Sequence, residues 1–543
     1  MDFVWSDRET QDTLELVDFI AGSRGKAAGS PGRPQPWSDG RVALFGISYD
    51  AGAAVRAAAR GHPALKAVVS SYLFGDVWRE LFPGGIMNRW FLHEWCNVNR
   101  RLDNARLGSL HPAAPIFVKG AAPAGPRRRH NKAVAAHAAN WDLMSHANKL
   151  RFMDDPVDLE CGMKVDIRIL DLWSKHVSEC RLREEGEDES SAVMAALGAS
   201  GVPVMIVSGW SCVTAATACS LFAAHAGPGW RLLLGPWNHG ATQHVRYRHG
   251  TRPKQFPLAA EVADFFLEHV PPAVGEESVP AESAAPEPEP VRCYVDGDRP
   301  SWLASTSWPP QQLRKRPLWL LPGGGLAWDG PGAQGDSQPT TPLPQPAGAG
   351  GSPLWAGVTR YNAMIKMLDF VSSSWQLPAE AEAGRLLRFE TPPLEAPAAL
   401  LGAAVLSLRL RGAGASEQPA AADADVFAYL CEQHEGGGPP AYVTEGQLRL
   451  SCRAEVRPPR HAAAADPPPA DDALAAAGGG GDGAVPVHSF LRRDEAQLPG
   501  GEEGFAARLA LLPTGHRFSK GSRIQLLLAA DDPVHFSPNP SAA

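Results

Sequence analysis

The sequence predicts an α/β fold: a partial doubly wound parallel sheet with a helical insertion, followed by an all-β domain. Short apolar runs typical of buried parallel strands alternate with helical segments in residues 1–75 and 201–270. Residues 76–200, between these two blocks, show helical spacing without strand alternation. From residue 291 to residue 543, many short strands are separated by turns without helices, which is typical of a β-sandwich or jelly roll.

Length and composition narrow the class of protein. The 543 residues exceed one ordinary domain, and the apolar fraction of 44% is sufficient for hydrophobic cores. The net charge of −8 gives no indication of a nucleic-acid partner. The eight cysteines include no C-x-x-C pair, so we expect neither a zinc site nor a disulfide framework. Because no apolar run reaches about 18 residues and no signal peptide is seen, we expect no membrane partner and a cytoplasmic location.

The first βα unit carries a serine on a sharp turn. Residues 42–45 form a compact apolar strand, Ser48 follows it without a polar loop, and an Ala-rich helix begins near Asp50. This is the layout of a nucleophile elbow, which holds the serine hydroxyl clear of the backbone and offers helix N–H groups to an oxyanion. Asp50 stands where the usual G-x-S-x-G pattern has its last glycine, and an ordinary surface turn is the alternative interpretation.

Three further strands complete the predicted sheet. Residues 65–71 follow a Gly-His-Pro break, residues 202–207 follow the insertion, and residues 231–234 run directly into Gly-Pro-Trp-Asn-His, which ends at His239. Ligands of such sheets bind at the carboxyl ends of the strands, where Ser48 and His239 both lie. We therefore expect these two side chains to lie within hydrogen-bonding reach.

A linker rich in Pro and Glu, residues 271–290, separates the two predicted domains. Beyond it, residues 327–353 and 457–486 are low-complexity inserts in the all-β domain. We expect the linker and both inserts to be exposed loops.

Several stretches of the chain carry a family resemblance. They read QPWSDGRVALFGISYDAG around Ser48, DVWRELFPGGI at the start of the insertion, VPVMIVSGW, LLLGPWNHG, and YVTEGQLRLSCRAE with FSKGSRIQLLLAADD near the C-terminus. Together they resemble the X-Pro dipeptidyl-peptidase and cocaine-esterase-like (CocE/NonD) serine hydrolases, peptidase family S15. The resemblance implies an α/β-hydrolase domain, a helical cap and a C-terminal jelly roll of the galactose-binding-like type.

The same resemblance implies a chemistry and a site. The family cleaves amide or ester bonds through a Ser-Asp-His triad, and by matching position Ser48 is the nucleophile and His239 the general base. The backbone N–H of Tyr49 would contribute to the oxyanion hole. No cofactor or metal is implied, and the partner is a small-molecule or peptide substrate. The sequence does not indicate which acyl group is cleaved, nor the oligomeric state.

The chain departs from the family pattern at the triad acid. The acid follows Gly-Trp in a G-W-x-D segment, and here that segment reads Gly209-Trp210-Ser211-Cys212. A thiol is neutral near pH 7 and cannot stabilise an imidazolium as a carboxylate does, so Cys212 predicts impaired catalysis.

A second departure concerns the start of the chain. The family begins with several strands, one of which leads to a loop with a tyrosine that is the second oxyanion donor. This chain begins at the helix that follows those strands. We therefore expect that donor to be missing and the strand at residues 42–45 to form an exposed sheet edge.

The leading hypothesis is a serine hydrolase that cleaves a peptide or ester bond through an acyl-enzyme, impaired by Cys212. One alternative is a non-catalytic protein whose β-sandwich binds a carbohydrate or protein partner. Another is a gene-model fragment without a stable fold.

Overall fold

The computed structural model describes sixteen parts of the chain. They are residues 5, 7–22, 34–75, 77–103, 126–138, 143–158, 164–166, 193–239, 256–270, 289–330, 341–343, 360–361, 385–412, 423–455, 485–499 and 504–540. Most of the predicted linker at 271–290 and of the inserts at 327–353 and 457–486 lies outside these residues; residues 289–290, 327–330, 341–343 and 485–486 are the parts described. None of the helices in the described parts is both long and apolar enough to cross a bilayer.

Helices occur mainly in the first half of the chain. They are α1 (Asp7–Ala21), α2 (Tyr49–Ala58), α3 (Val77–Leu81), α4 (Arg89–Asp103), α5 (Arg127–Ala138), α6 (Leu143–Ala147), α7 (Val193–Ser200), α8 (Thr214–His225) and α9 (Leu258–His269). The strands before residue 300 are β1 (Val42–Ile47), β2 (Leu65–Ser71), β3 (Pro156–Asp158), β4 (Lys164–Asp166), β5 (Val204–Gly209), β6 (Arg231–Gly235) and β7 (Val291–Gly297).

The rest of the described chain is mainly strand. Its strands are β8 (Ser301–Ser305), β9 (Trp319–Leu321), β10 (Gly325–Ala327), β11 (Leu387–Glu390), β12 (Ala398–Gly402), β13 (Val405–Leu410), β14 (Asp425–Gln433), β15 (Ala441–Arg449), β16 (Phe505–Ala510), β17 (Thr514–Phe518) and β18 (Arg523–Ala529).

The four predicted parallel strands form one sheet in the order β1-β2-β5-β6. These strands are mainly apolar because helices cover both faces of the sheet. Val204 and Ile206 of β5 pack with residues of α1, α2 and α8 on one face. The alternate residues, Met205 and Val207, pack with Phe265 of α9 on the other face. The sequence prediction of these four strands and of their parallel arrangement is confirmed.

The sheet continues beyond the predicted domain border. β7 was expected to be the first strand of the all-β domain, but it pairs in parallel with β6 and extends the first sheet. Val291 and Cys293 of β7 are fully buried in the core formed by α1, α2 and α8, which explains the pairing. β17 and β12 follow β7 in the same sheet, and β8 pairs antiparallel to β7.

Residues 76–200 contain more than helices. The described helices α3 to α7 agree with the helical spacing of the sequence. A short antiparallel pair, β3 with β4, was not expected, because two strands of three residues leave no visible alternation.

The second large sheet has the order β15-β14-β18-β11-β10-β9. Its strands share one hydrophobic core with α3 and α4, in which Phe82 and Phe91 lie with Phe427, Leu448 and Leu527. The all-β part therefore packs on the start of the helical insertion.

A turn at Gly84 sets how closely these two parts approach. Gly84 has a φ of 66°, and a Cβ atom there would lie 2.1 Å from the carbonyl oxygen of Gln447 in β15. The side chain of Arg79 nearby donates a hydrogen bond to the carbonyl oxygen of His488 at 2.9 Å. Only glycine allows this backbone-to-backbone contact.

β1 lies at one edge of the first sheet. In the described residues its strand partner is β2 alone. Phe45 is 57% exposed and Ile47 is 38% exposed, whereas Val42 at the start of the strand is buried. The apolar edge is thus centred on Phe45 and Ile47, nearer the end of the strand than the sequence suggested.

We predict that Gly84→Ala lowers the free energy of unfolding by at least about 3 kcal/mol, because the new methyl group overlaps a backbone carbonyl and the backbone keeps a positive φ. Gly201→Ala is the matched control: Gly201 has a φ of 71° but no atom within 4 Å of a Cβ position, so strain alone should cost about 1–2 kcal/mol. Chemical denaturation of both variants measures the difference, and equal losses would contradict the close contact.

We also predict that Phe45→Thr reduces concentration-dependent association, because it removes an exposed ring from β1, which among the described residues pairs with a strand on one side only. Leu267→Gln is the control, since Leu267 is 58% exposed but lies on α9, where the backbone is paired within the helix. Light scattering over a concentration series compares them. Equal effects of the two substitutions would show that general surface apolarity, not the edge, drives association.

Candidate active site

Ser48 sits on a strained turn between β1 and α2. Its φ of 61° and ψ of −118° place a non-glycine residue in a conformation that side chains rarely adopt. The Ser48 N–H donates to the carbonyl oxygen of Ser71 at the end of β2, at 2.8 Å. A Cβ atom at position 46 would lie 2.2 Å from the carbonyl oxygen of Asp50, so the turn can close only with Gly46. The backbone is that of a nucleophile elbow.

Tyr49 contributes to this turn through its backbone. It is the first residue of α2, so its N–H is among those without an acceptor inside the helix. Its side chain is held elsewhere: the hydroxyl donates to Glu9 at 2.7 Å, and the ring stacks on Trp5 at 5.0 Å. Burial, reinforced by the Glu9 carboxylate, raises the pKa of Tyr49 to about 12. The phenol therefore stays protonated and anchors the helix start.

The loops after β5 and β6 are tied together by their backbones. The Trp210 N–H donates to the carbonyl oxygen of Gly235 at 2.9 Å, and the Ser211 N–H donates to that of Trp237 at 3.1 Å. As a result, Cys212 and His239 meet: the Cys212 Sγ lies 3.3 Å from the His239 Nδ1. Position 212 thus occupies the place from which a triad acid would orient the imidazole.

The Cys212–His239 pair is neutral. His239 is 4% exposed, and burial lowers the pKa of its imidazole to about 4. Cys212 is 1% exposed, and burial raises the pKa of its thiol to about 11. Near pH 7 the imidazole and the thiol are therefore both uncharged. The contact has the geometry of an acid–base pair but supplies no negative charge to an imidazolium.

Ser48 and His239 lie at the same edge of the sheet. The Ser48 backbone contacts Ser71, and the next residue, Tyr72, packs its ring 5.2 Å from the His239 ring. In the described part of the chain, no hydrogen bond joins the Ser48 hydroxyl to the His239 imidazole. Catalytic hydrogen bonds are often long or poorly aligned before substrate binds. The direct Ser48–His239 interaction therefore stays a prediction.

Two buried hydroxyls near Cys212 were not identified from the sequence. The Thr214 Oγ1 lies 3.2 Å from the Cys212 Sγ and 3.0 Å from the Ser208 Oγ. Isolated serines and threonines form no motif. The one signal was their position, at the end of β5 and the start of α8 on either side of Cys212.

A narrow crevice, too small to hold a water molecule, lies on the side of Phe74 near His239. It is lined by Phe74, Glu80, Leu81, Asn88, Phe91, Val213, Arg360 and Tyr361. The Phe74 ring lies 5.9 Å from the His239 ring, so the crevice borders the candidate site. Its two charged residues, Glu80 and Arg360, are both buried. Arg360 donates to the carbonyl oxygens of Pro513 and Val443, which fixes it to the all-β part.

The described residues contain no group of three or more His, Cys, Asp or Glu side chains arranged to hold a metal ion. The residues of the site can support nucleophilic and acid–base chemistry, centred on Ser48 and His239.

Comparisons with known proteins agree with this geometry. The profile of the X-Pro dipeptidyl-peptidase (S15 family) matches residues 2–241, and that of the X-Pro dipeptidyl-peptidase C-terminal non-catalytic domain matches residues 284–543. A Mycobacterium bovis protein whose name describes it as a serine esterase is 27% identical over 561 residues, covering 99% of this chain and 77% of the relative.

Solved structures show the same fold. A CocE/NonD family hydrolase from Staphylococcus aureus superposes with a TM-score of 0.56 at 15% identity, covering 99% of this chain and 70% of that one. An α-amino acid ester hydrolase superposes with a TM-score of 0.58 at 16% identity, covering 98% of this chain and 74% of that one. With both family profiles matched, the chain belongs to the X-Pro dipeptidyl-peptidase (S15) family of serine hydrolases.

Proposed function

We propose that the chain hydrolyses a peptide or ester bond through an acyl-enzyme formed on Ser48, with His239 as the general base. The observation that carries this proposal is the elbow conformation of Ser48 at the sheet edge that also bears His239. A strained backbone conformation costs folding free energy and persists only where the surrounding structure holds it in place, which is typical of active sites.

The proposed reaction has two halves. In the first, the Ser48 Oγ attacks the acyl carbon while the His239 Nε2 takes the hydroxyl proton, and the Tyr49 N–H stabilises the oxyanion. The imidazolium then gives its proton to the leaving alcohol or amine as the carbon–heteroatom bond breaks. In the second half, a water attacks the acyl carbon while His239 accepts its proton. The bond to the Ser48 Oγ then breaks, His239 returns the proton to Oγ, and the carboxylic acid product leaves.

The thiol at position 212 limits this reaction. When His239 takes the proton from Ser48 it becomes positively charged, and a triad acid would stabilise that charge. Cys212 remains a neutral thiol because of its raised pKa. Loss of the acid's charge lowers kcat by about 10⁴ in a serine protease, so we propose a slow enzyme.

The crevice beside Phe74 has no room for a water molecule in this structure, so its lining would have to move apart for a substrate to lie there. Residues of the insertion and of the all-β part line it together, so both parts would shape the acyl pocket. The mycobacterial relative is named a serine esterase and one structural neighbour is an α-amino acid ester hydrolase, which makes an ester the first substrate to test.

The finer domain assignment is part of this proposal. Residues 1–75 and 201–270 would form the catalytic domain, extended by β7, and residues 76–200 the helical cap. The remaining strands up to residue 543 would form a jelly roll of the galactose-binding-like type. The proposed partner is a small-molecule or peptide substrate, and the cytoplasm remains the predicted location.

We predict that Cys212→Asp increases the hydrolysis of p-nitrophenyl acetate, because a carboxylate in place of the thiol, whose sulfur lies 3.3 Å from Nδ1, can hold and charge-stabilise the imidazole. The gain in kcat is bounded by about 10⁴, the contribution of a triad acid. The gain should vanish in the Cys212→Asp, Ser48→Ala double variant. Unchanged hydrolysis, together with no labelling of Ser48 by a fluorophosphonate, would instead favour a non-catalytic protein.

A neutral, buried His239 has a consequence for stability. Its pKa is about 4 in the folded chain and about 6.5 when exposed. Between these values the unfolded chain binds a proton that the folded chain does not, so this contribution to stability is present above pH 6.5 and is lost as the pH falls towards 4.

His239→Gln removes this titration. We predict that the stability difference between the wild type and His239→Gln falls by up to about 3 kcal/mol between pH 7 and pH 4. Denaturant unfolding at both pH values measures it. A difference that does not change with pH would mean that His239 takes up protons in the folded chain as readily as in the unfolded one.

A further inference from the structure

An indole side chain covers the first turns of the elbow helix α2. The ring of Trp5 stacks on the ring of Tyr49 at 5.0 Å, and the guanidinium of Arg56 lies 5.6 Å from the centre of the Trp5 ring. A Cβ atom at position 52 would lie 3.0 Å from the indole, so Gly52 leaves the space that the ring occupies. Residues 49, 52 and 56 share one face of a helix, and Trp5 lies along that face.

Hydrogen bonds fix Trp5 in this place. Its indole Nε1–H donates to the carbonyl oxygen of Tyr49 at 2.9 Å. Its backbone N–H lies 2.9 Å from the Glu9 Oε2 and 3.2 Å from the Tyr49 hydroxyl oxygen, and both accept from it. The Tyr49 hydroxyl in turn donates to the same Glu9 oxygen at 2.7 Å. The ring, the hydroxyl and the carbonyl of Tyr49 are therefore all held, by Trp5 and by Glu9 of α1.

The same turn of α2 holds the carbonyl group of Ser48. The backbone N–H groups of Ala51 and Gly52 donate to the Ser48 carbonyl oxygen at 3.1 Å and 3.4 Å. In a planar trans peptide, the carbonyl of one residue and the N–H of the next point in opposite directions. With the Ser48 carbonyl directed into the helix, the Tyr49 N–H is directed out of it, as an oxyanion donor must be.

The strained turn at Ser48 needs support on both sides. A non-glycine residue keeps a φ of 61° and a ψ of −118° only where its surroundings hold it there. On the strand side, the Ser48 N–H is bonded to the carbonyl oxygen of Ser71. On the helix side, Trp5 holds Tyr49 and lies against Gly52, one of the two donors to the Ser48 carbonyl.

We propose that Trp5 is a positioning residue of the candidate active site. By covering the first turn of α2, it holds the strained turn at Ser48 and directs the Tyr49 N–H towards the oxyanion. The catalytic part of this inference rests on the proposed function, whereas the support of the turn at Ser48 does not.

A thermodynamic cycle tests the support of the turn without any assay of activity. Glycine tolerates a positive φ, so Ser48→Gly should relieve strain and raise the denaturation midpoint of the full chain. Trp5→Phe removes the indole N–H, and with it the bond to the Tyr49 carbonyl, but keeps an aromatic ring. In the Trp5→Phe background the turn can already relax, so Ser48→Gly should raise the midpoint by less than half as much. Equal shifts in both backgrounds would overturn the inference.

Trp37→Phe is the matched control for the loss of an indole. Trp37 precedes β1 in the chain and is 69% exposed, so its ring supports little of the structure. The midpoint shift caused by Ser48→Gly should be the same in Trp37→Phe as in the wild type. A shift that is reduced in both tryptophan variants would show general loosening rather than support by Trp5, and would also overturn the inference.

Glu9→Gln loosens the same anchor from the side of α1 and keeps the inference testable if Trp5→Phe does not fold. An amide oxygen is a weaker acceptor than a carboxylate for the Trp5 N–H and the Tyr49 O–H. The shift caused by Ser48→Gly should therefore be smaller in Glu9→Gln than in the wild type. An undiminished shift would show that this anchor does not hold the turn.

Ester hydrolysis tests the catalytic part. We expect Trp5→Phe to lower the Ser48-dependent kcat for p-nitrophenyl acetate by about 10-fold, the value of one hydrogen bond and less than the roughly 10²–10³-fold loss of a whole oxyanion donor. KM should not change, because the oxyanion forms only in the transition state. Trp37→Phe should keep both values. An unchanged kcat in Trp5→Phe would overturn the catalytic part.

The two measurements separate this inference from the proposed function. If the cycle shows coupling between positions 5 and 48 but no variant hydrolyses the ester, the proposed function fails and the support of the turn by Trp5 stands. If hydrolysis depends on Ser48 but the cycle shows no coupling, the inference fails and the proposed function stands.

Discussion

The backbone bonds between the loops after β5 and β6 are the constraint on which the site depends. The backbone N–H groups of Trp210 and Ser211 donate to the carbonyl oxygens of Gly235 and Trp237. These bonds bring Cys212, at the end of one loop, into contact with His239, at the end of the other. These bonds involve no side chain. The backbone contacts that bring position 212 next to His239 therefore do not use the side chain at position 212, whereas the charge next to the imidazole depends on that side chain.

The backbone geometry of the site and the charge at position 212 are therefore set separately, and in this molecule they do not agree. The elbow at Ser48, the helix start at Tyr49 and the buried imidazole have the arrangement of a serine hydrolase. The thiol preserves the contact with Nδ1 but not the charge. Burial makes this worse, because the low-dielectric surroundings that would strengthen an aspartate–imidazolium pair also keep the thiol and the imidazole neutral.

The sequence was informative where one strong physical rule acts alone. Apolar runs revealed β1, β2, β5 and β6, because strands covered on both faces must be apolar, and the order of parallel strands then placed Ser48 and His239 at one edge. The sequence did not reveal which distant segments pair with each other. Nothing in the residues of β7 distinguishes a strand of the first sheet from one of the second. The contacts from Ser208 through Thr214 to Cys212 depend on side-chain directions, which the spacing of residues does not encode.

The close contact between Gly84 and the backbone of β15 also limits how the molecule can be divided. Phe82 and Phe91 lie in one core with strands of the second sheet, while β7, β17 and β12 carry the first sheet into the C-terminal half. Each half thus completes the other's interior, although two separate family profiles describe them. For protein engineering, the two halves are not exchangeable modules: a C-terminal half taken from a relative would have to reproduce the surface against which Gly84 rests.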